Sequence, residues 1–325
     1  METSVYGVLF LFFLQSYLHV SGAAGAGSTS LSYDFYKETC PNLENHIMNG
    51  LTQFITSDII TTPSALLRLF FHDCQVQGCD ASILVDSGGE ESEIRSDKNF
   101  AIRKREVIGM LKKIMEKECP RQVSCADILV LSARDAVWLA GGPFISVPLG
   151  RRDSTSPPSK HLADVELPSA DIGVNQMLPL FINKGLSVAE SVAIMGGHSL
   201  GVSHCKNILS RLTNPSRGVV SSGFQAFLAL SCSGALNPNT TFIINDQSPI
   251  RFDQGYYKDI KSGRGVLRVD TELPSDPRTA PFVDKFAADK NEFNRVFSSA
   301  FVKVSTWGVL TGQQGSIREY CHVNN

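Results

Sequence analysis

The sequence predicts a mainly α-helical fold with minor β structure. Apolar residues recur at helical spacing in several long segments, and residues that favour helix starts or stops flank these segments. Strand-like runs are confined to 145–150 and 265–270. Hydrophobic residues make up 42% of the 325 residues and charged residues 19%, which excludes a disordered chain and a coiled coil.

The first predicted helices follow one another closely. Leu43, Ile47 and Leu51 recur on one face of the segment 42–57, which predicts an amphipathic helix. Thr62 then has the form of an N-cap followed by proline at the first helical position, so a second helix should begin there. Its apolar sequence, SALLRLFFHDC, predicts that this helix is buried.

Capping residues mark the later helices. Ser124 precedes a long apolar run, ILVLSARDAVWLAGG, which should be helical up to its paired glycines. The segment Ser187–Glu190 has the form of a capping box, and the helix that it starts should end near Gly196. The last long helix should cover 289–306, whereas the polar, turn-rich segment 212–246 allows no assignment.

The N-terminus has the pattern of a secretory signal peptide. The apolar run Val5–Leu14 is too short to span a membrane, which needs about 20 residues, and small residues of A-x-A form follow at Ala24–Ala26. We therefore predict a signal peptide over 1–26 and a single domain over 27–325; the alternative is a buried N-terminal helix. The C-terminal residues carry no retention or anchor signal, so we expect a secreted protein without a membrane anchor.

Charge and cysteine content restrict the partners and the compartment. Lys and Arg number 30 and Asp and Glu 32, for a net charge of −2, so no basic excess points to nucleic acid. Eight cysteines, an even number, suggest four disulfides in an oxidising compartment. The sequon at Asn239 would allow N-glycosylation there.

The first chemically active cluster lies on the second predicted helix. Arg68 and His72 are four residues apart, so a helix places them side by side on one face. The adjacent cation disfavours protonation of His72, which should stay neutral and basic. A neutral base beside a fixed cation suits deprotonation of a small acid and stabilisation of the charge that develops. The alternative is an Arg–His pair in a structural hydrogen-bond network.

The second cluster is the glycine-flanked histidine of GGHSLG. His198 lies just beyond a predicted helix end, where the glycines let its ring approach a flat ligand such as haem and bind the iron. A histidine ligand normally donates its other N–H to a carboxylate, for which Asp270 is one candidate. The alternative is a histidine in the core or in a loop.

The third cluster is the oxygen-rich loop that follows His72. Asp73, Asp80 and Ser82 lie in a turn that contains glycine, and the side chains of the residues between them should point away from their oxygens. Such a loop suits Ca²⁺, with backbone carbonyls filling the remaining positions. The cysteines of this loop could instead bind zinc with the histidine, although secretion favours a disulfide between them.

Together these segments resemble one known family. Four motifs occur in order, RLFFHDCQVQGCDASIL at 68–84, VSCADIL at 123–129, VPLGRRDS at 147–154 and GGHSLG at 196–201. They resemble the plant secretory peroxidases, or class III haem peroxidases, and the resemblance extends from Phe35 to Cys321. It implies a mainly α-helical haem peroxidase fold in which haem b lies between a distal and a proximal half.

The resemblance implies a role for each residue of the first two clusters. His72 corresponds to the distal acid–base catalyst and Arg68 to the distal arginine. Asn99 corresponds to the asparagine that accepts a hydrogen bond from the distal histidine and keeps it basic. His198 corresponds to the iron ligand, and Asp270 to the carboxylate that holds this ligand.

The resemblance also implies the reaction, the ions and the disulfides. The enzyme would reduce hydrogen peroxide and oxidise small phenolic or aromatic donors in single-electron steps, with Pro168 near the donor. It would be a monomer in the extracellular space or cell wall, with the vacuole less favoured. One Ca²⁺ would be held in the distal half by Asp73, Val76, Gly78, Asp80, Ser82 and, through water, Glu93. A second would be held in the proximal half by Ser199, Asp246, Ser248, Arg251 and Asp253. The disulfides would be Cys40–Cys119, Cys74–Cys79, Cys125–Cys321 and Cys205–Cys232.

The chain departs from the usual family pattern in several places. Gln75 stands where the family usually has Phe, and Ser199 replaces the common Thr but keeps the hydroxyl. Asp246 lies one residue closer to Ser248 than usual, and the stretch 99–105 is one residue shorter. None of these departures removes a catalytic group.

Two other functions compete with a peroxidase. A secreted haem- or Ca²⁺-binding protein without activity would be favoured by loss of Arg68 or His72, and both residues are present. A hydrolase that uses cysteine and histidine would need a free thiol, whereas the implied disulfides use all eight cysteines.

Overall fold

Helices dominate the residues described by this computed structural model, which are 31–213, 218–233 and 237–324. The helices are α1 (Leu43–Ser57), α2 (Thr62–Gln75), α3 (Arg105–Glu118), α4 (Cys125–Leu139), α5 (Lys160–Glu166), α6 (Val174–Ile182), α7 (Val188–Met195), α8 (Leu209–Thr213), α9 (Ser222–Ser233), α10 (Gly255–Lys261), α11 (Arg268–Glu272), α12 (Ala280–Ala288) and α13 (Lys290–Ser305). The strands β1 (Val202–His204) and β2 (Phe242–Ile244) pair in antiparallel register, with Ser203 opposite Ile243. The predicted mainly α-helical fold is confirmed. Within the described ranges, no helix is both long enough and apolar enough to cross a membrane.

Two of the three capping signals read from the sequence act as expected, whereas the prediction for Thr62 is wrong: Thr62 is the first residue of α2, and Thr61 takes the cap position without a side-chain hydrogen bond. Ser124 caps α4, because its Oγ accepts a hydrogen bond of 3.0 Å from the backbone N–H of Asp127. Ser187 and Glu190 form the predicted capping box at α7, in which each side chain accepts from the other's backbone N–H. The segment 289–306 contains α13. Both capping motifs are local, so they define helix starts without help from distant contacts.

The strand prediction for 265–270 is wrong. Its last residues belong to α11, and the carboxylate of Asp270 accepts a hydrogen bond of 2.8 Å from the backbone N–H of Leu267. This carboxylate occupies the position of a capping group, which favours a helical turn over an extended one. The predicted signal peptide over 1–26 lies outside the described residues.

The strand prediction for 145–150 is also wrong, although the segment is extended. Ile145, Val147 and Leu149 are buried in alternation, which is the pattern that suggested a strand. In the described part of the chain only Leu149 makes a bridge, to Ser32, and no ladder forms. A strand of this kind needs a neighbour over several residues, and this segment has one at Leu149 alone.

The second helix has one apolar face in the core and one polar face at the candidate site. Leu66, Leu69 and Phe70 are almost fully buried, and α2 packs most extensively against α4. The Phe70 ring stacks on Phe301 of α13, with ring centroids 4.5 Å apart. This packing on the apolar face determines where the polar face is directed.

Two of the sequence motifs form a buried structural network. Arg151 of VPLGRRDS and Asp127 of VSCADIL form an ion pair of 2.8 Å in which both side chains are fully buried. The guanidinium also donates to the carbonyl of Ser305 at the end of α13. The carboxylate also accepts from the hydroxyl of Tyr36 at 2.8 Å. Removing one partner of such a pair typically costs about 3–5 kcal/mol, so these motifs support the fold.

All eight cysteines are paired in the structure. The four disulfides are Cys40–Cys119, Cys74–Cys79, Cys125–Cys321 and Cys205–Cys232. The pairing agrees with the one that the family resemblance implies.

We expect the longest disulfide loop to contribute most to stability. Cys125 and Cys321 are separated by 196 residues, so the chain-entropy relation assigns their link about 5 kcal/mol. Cys205 and Cys232 are separated by 27 residues, and the same relation assigns about 3.5 kcal/mol. Replacing each pair by alanine should therefore reduce the midpoint of denaturant unfolding more for the first pair than for the second. Equal losses, or peptide mapping that joins Cys125 to another cysteine, would contradict this ranking.

Candidate functional site

The second helix places the two residues of the first cluster one turn apart. The Nε of Arg68 donates to the Nε2 of His72 across 3.1 Å. The other ring nitrogen of His72, Nδ1, lies 2.7 Å from the Oδ1 of Asn99. The predicted Arg68, His72 and Asn99 therefore form one connected set.

The neighbours of Asn99 determine which ring nitrogen of His72 carries the proton. The Nδ2 of Asn99 donates to the backbone carbonyl of Glu93 at 2.7 Å. A carbonyl can only accept, so the amide oxygen of Asn99 faces His72 and the ring donates from Nδ1. The Nε2 of His72 is thereby left as an acceptor, which is the state a general base requires.

Burial keeps His72 neutral. Desolvation, together with the charge of Arg68, lowers the pKa of His72 to about 3. Burial also lowers the pKa of Arg68 to about 10, so its guanidinium keeps its charge at neutral pH. A neutral base and a charged donor therefore lie within 3.1 Å of each other.

Backbone carbonyls hold the guanidinium of Arg68 in place. Its Nη1 donates to the carbonyl of Phe100 at 2.9 Å, and its Nη2 donates to the carbonyl of Lys98 at 3.3 Å. The Nζ of Lys98 donates to the carbonyl of Leu167 at 2.5 Å. Pro168, the residue expected near the donor, follows Leu167 and is half-buried. The expected donor position is therefore linked to the segment that holds Arg68.

The second cluster joins His198 to Asp270. His198 lies in a 3₁₀ turn, Gly196–Ser199, that follows α7 directly. Its Nδ1 lies 3.0 Å from the Oδ1 of Asp270, which is almost fully buried. Burial alone would raise the pKa of Asp270, but His198 and the backbone N–H of Leu267 hold it below its ordinary value. The contact at Nδ1 leaves the Nε2 of His198 for a metal.

Two glycines bring the His198 turn against the second helix. A Cβ at Gly197 would lie 3.3 Å from Leu67, and one at Gly201 would lie 2.5 Å from the Oγ of Ser64. Gly201 also has a φ of +80°, which favours glycine. The turn that carries His198 thus meets the helix that carries Arg68 and His72. The side chain of His198 is 31% exposed, so its Nε2 is open to a ligand such as the iron of haem.

Three residues expected to bind the distal Ca²⁺ have unsatisfied side-chain oxygens. In the described chain, the Oδ1 of Asp73, the Oγ of Ser82 and the Oε1 of Glu93 are buried and have no hydrogen-bond partner. Burial raises the pKa of Asp73, and the charges of Asp80 and Glu93 add to the rise. Burial also raises the pKa of Glu93 to about 8. Oxygens that lack donors and repel one another fit a cation such as Ca²⁺.

The carbonyl ligands expected for this ion lie in the loop that the Cys74–Cys79 disulfide closes. The carbonyl of Val76 accepts from the backbone N–H of Gly78 at 2.7 Å, which makes a tight turn. A Cβ at Gly78 would lie 2.4 Å from the carbonyl oxygen of Gly308, so this position requires glycine. The loop is thereby held in one conformation.

Three of the residues expected to bind the proximal Ca²⁺ converge beside Gly255. A Cβ at Gly255 would lie within 3.1 Å of the Oδ2 of Asp246, the Oγ of Ser248 and the Oδ1 of Asp253. Burial raises the pKa of Asp246 to about 7, with Asp253 adding to the rise. The Oγ of Ser199 is buried without a partner in the described residues. These oxygens fit a hard cation, although Asp246 has an unusual spacing in the sequence.

Two further observations concern this proximal set. The backbone N–H of Arg251, whose carbonyl is an expected ligand, donates to the carbonyl of Ser248 in the same turn. Within the described ranges, no three His, Cys, Asp or Glu side chains converge closely enough to hold a metal by themselves. Each calcium site would therefore depend on hydroxyl and carbonyl oxygens as well as carboxylates.

We expect removal of Ca²⁺ to disturb the catalyst without removing it. Glu93 is expected to offer its side chain to the distal Ca²⁺, while its carbonyl holds Asn99 and, through it, His72. Chelation should therefore lower turnover while most haem stays bound. If Ca²⁺ is present at about 100 times its Kd, the loss is about 2.7 kcal/mol, or roughly 5 °C in Tm. Unchanged turnover and Tm after Ca²⁺ loss verified by metal analysis would contradict the assignment.

The sequence did not reveal every contact of these clusters. The hydroxyl of Tyr256 donates to the Oδ1 of Asp270 at 2.8 Å, and the carbonyl of Glu93 supports Asn99. The first contact joins residues 14 positions apart, and the second uses a backbone atom. Neither leaves a spacing pattern in the sequence that could have indicated it.

Comparisons with known proteins find similarity over most of the chain. The sequence model of the family described as "Peroxidase" matches residues 48–289. "Peroxidase 29" of Arabidopsis thaliana is 52% identical over 300 residues, which cover 90% of this chain and 88% of that protein. "Peroxidase 57" of the same plant is 40% identical over 293 residues, covering 90% and 91%. "Peroxidase 63" is 38% identical over 307 residues, covering 92% of each.

Proposed function

This chain belongs to the plant secretory peroxidase family and is a peroxidase, and we propose from that premise that Arg68 and His72 cleave hydrogen peroxide opposite His198. The observation that carries the proposal is the connected set of Arg68, His72 and Asn99, in which His72 is neutral and accepts at Nε2. We propose small phenolic or aromatic molecules as the electron donors.

The residues present fit haem b, with the Nε2 of His198 as the ligand of its iron. Haem, when bound, would supply the two electrons that the cleavage of peroxide needs and would take them back one at a time from the donors. Asp270 keeps the proton of His198 on Nδ1 and makes its Nε2 a stronger electron donor. Two Ca²⁺ ions would be held by the oxygens already described.

His72 moves one proton between the two oxygens of the peroxide. Its Nε2 takes the proton from one oxygen and delivers it to the other, which leaves as water. The ring can do both because Asn99 holds the second proton on Nδ1 throughout. The same group is therefore first a base and then an acid.

Arg68 stabilises the charge that develops as the oxygen–oxygen bond breaks. Its guanidinium is held by two backbone carbonyls and lies beside His72. A positioned cation in a water-poor site stabilises a developing negative charge more strongly than water does. Two donor molecules then each supply one electron, and we propose that they approach near Pro168.

Several further features belong to the proposal. The signal-peptide pattern over 1–26 supports secretion, to the cell wall or extracellular space. The four disulfides support an oxidising compartment. We propose a monomer. No cysteine is free, so no thiol supports the alternative of a cysteine-dependent hydrolase.

The experiment that tests this function is a donor panel with hydrogen peroxide. Purified haem-loaded protein should oxidise phenolic donors with saturation in both substrates and consume two donor molecules per peroxide. The same protein without peroxide is the control and should oxidise none of them. Failure to oxidise any phenolic or aromatic donor would overturn the proposed donor class.

We expect Asn99→Val to slow the reaction with peroxide by roughly tenfold. The variant removes the acceptor at the Nδ1 of His72, so the ring loses its fixed tautomer and orientation. One hydrogen bond contributes roughly 1–1.5 kcal/mol, or about a factor of ten in rate. Stopped-flow absorbance at several peroxide concentrations gives the second-order rate constant. Asn175→Val, at an exposed position of α6, is the matched control, and an equal loss in both variants would argue against the orienting role.

A further inference from the structure

One oxygen of Asp270 accepts two hydrogen bonds. The Nδ1 of His198 lies 3.0 Å from Oδ1, and the hydroxyl of Tyr256 donates to the same Oδ1 at 2.8 Å. The other oxygen, Oδ2, accepts from the backbone N–H of Leu267 at 2.8 Å. The His198 proton and the Tyr256 proton therefore compete for one carboxylate oxygen.

The structure places Tyr256 to act on Asp270 through its hydroxyl. Tyr256 lies in the second position of α10 and is only 1% exposed. Its ring meets the ring of His198 edge-on, with centroids 5.8 Å apart. The contact with Asp270 is therefore shielded from water, where a hydrogen bond to a carboxylate is strongest.

From this geometry we propose that Tyr256 is a positioning residue that limits how strongly His198 donates electrons to the haem iron. The proposal rests on the proposed role of His198 as iron ligand. A carboxylate that accepts from a histidine ligand draws its N–H proton and makes the other ring nitrogen more basic. A second donor on the same oxygen takes up part of the negative charge, so the pull on His198 weakens.

The consequence is a higher reduction potential of the iron. An electron-rich ligand stabilises the oxidised metal, whereas a weaker one leaves the metal easier to reduce. Tyr256 therefore makes the iron a stronger oxidant towards donors than the His198–Asp270 pair alone would. The tyrosine neither touches the peroxide nor binds the metal, and it acts only through Asp270.

The adjacent Tyr257 provides a matched control. It is also fully buried; its hydroxyl donates to the backbone carbonyls of Val192 and Ala193 and accepts from the backbone N–H of Gly196, and its partners do not include Asp270. Its ring lies 5.0 Å from that of Tyr256. Tyr257→Phe removes a buried hydroxyl from the same region and leaves the carboxylate of Asp270 unchanged.

The test is the ferric–ferrous reduction potential of haem-loaded Tyr256→Phe. The ferrous-to-ferric ratio at a fixed applied potential should fall by roughly tenfold. For one electron, this corresponds to a shift of about −59 mV in the reduction potential of the iron. The iron–histidine stretching frequency of the ferrous protein should rise, because the bond from His198 strengthens. Tyr257→Phe should keep both values of the wild type. If Tyr256→Phe does not fold, Tyr256→Met, which also lacks a donor, replaces it.

Asp270→Asn separates this inference from the proposed function. It removes the carboxylate, so the potential should move in the opposite direction, upwards. If Asp270→Asn shifts the potential and Tyr256→Phe behaves as Tyr257→Phe, the role of Tyr256 is refuted and His198 remains the iron ligand. If Asp270→Asn leaves both the potential and the stretching frequency unchanged, His198 is not a ligand held by Asp270, and both proposals fail.

Discussion

Replacing His72 by alanine should slow the reaction with hydrogen peroxide by a factor of about 10²–10⁴, the usual contribution of a general acid–base group. The variant removes the imidazole, which is the only group among Arg68, His72 and Asn99 that can take up a proton and return it. It also leaves the Nε of Arg68 without its acceptor, so the guanidinium proposed to stabilise the developing charge is held less firmly. The loss should therefore lie towards the upper end of this range.

The His72→Ala variant should still bind haem, because His198 and Asp270 are unchanged. Stopped-flow spectra after mixing with peroxide give the rate, and the spectrum before mixing reports the state of the haem. His161→Ala, at an exposed position of α5, is the matched control and should react as the wild type does. A wild-type rate in His72→Ala would refute its role as the acid–base group.

Replacing His198 by alanine should instead remove the haem. In the described structure, only His198 lies on the glycine-flanked turn and has a ring nitrogen in contact with a buried carboxylate. Mutating even the partners of a metal ligand typically costs about 10–100-fold in affinity, so loss of the ligand should exceed about 100-fold. The variant also leaves the carboxylate of Asp270 buried without the histidine that it faces.

Haem content per protein and the absorbance spectrum after purification measure this loss. Added imidazole should restore part of the binding, since it fills the space of the lost ring and supplies the same nitrogen. An unchanged haem spectrum in His198→Ala would show that another residue binds the iron. The two histidine variants therefore fail in different ways, one in rate and one in cofactor binding.

The sequence predicted those features that depend on neighbouring residues. The capping box of Ser187 and Glu190 and the pairing of Arg68 with His72 join residues three or four positions apart. A helical turn brings such residues together whatever the rest of the chain does. The motifs that indicated the family are also local runs of residues.

Segments without such signals were harder to predict. The helices α3, α5, α6, α8, α9, α10 and α12 lie where the sequence analysis made no helix prediction. The segment 265–270 has the composition of a strand, yet Asp270 caps a helical turn there. A strand needs a partner, and whether one is available is decided by the whole fold rather than by the segment.

Contacts between distant residues were decided by the tertiary structure. The pair His72–Asn99 spans 27 positions and the pair His198–Asp270 spans 72, and neither separation follows from a helical or strand period. The family resemblance implied both pairs, but only the packed fold supplies their distances, the tautomer of His72 and the second donor on Asp270.

The sequence by itself thus determined the local chemistry on each element. Burial and the packing of elements determined which groups lose water, which oxygens lack a partner and which donors share one acceptor, because these properties depend on neighbours that are far apart in the chain.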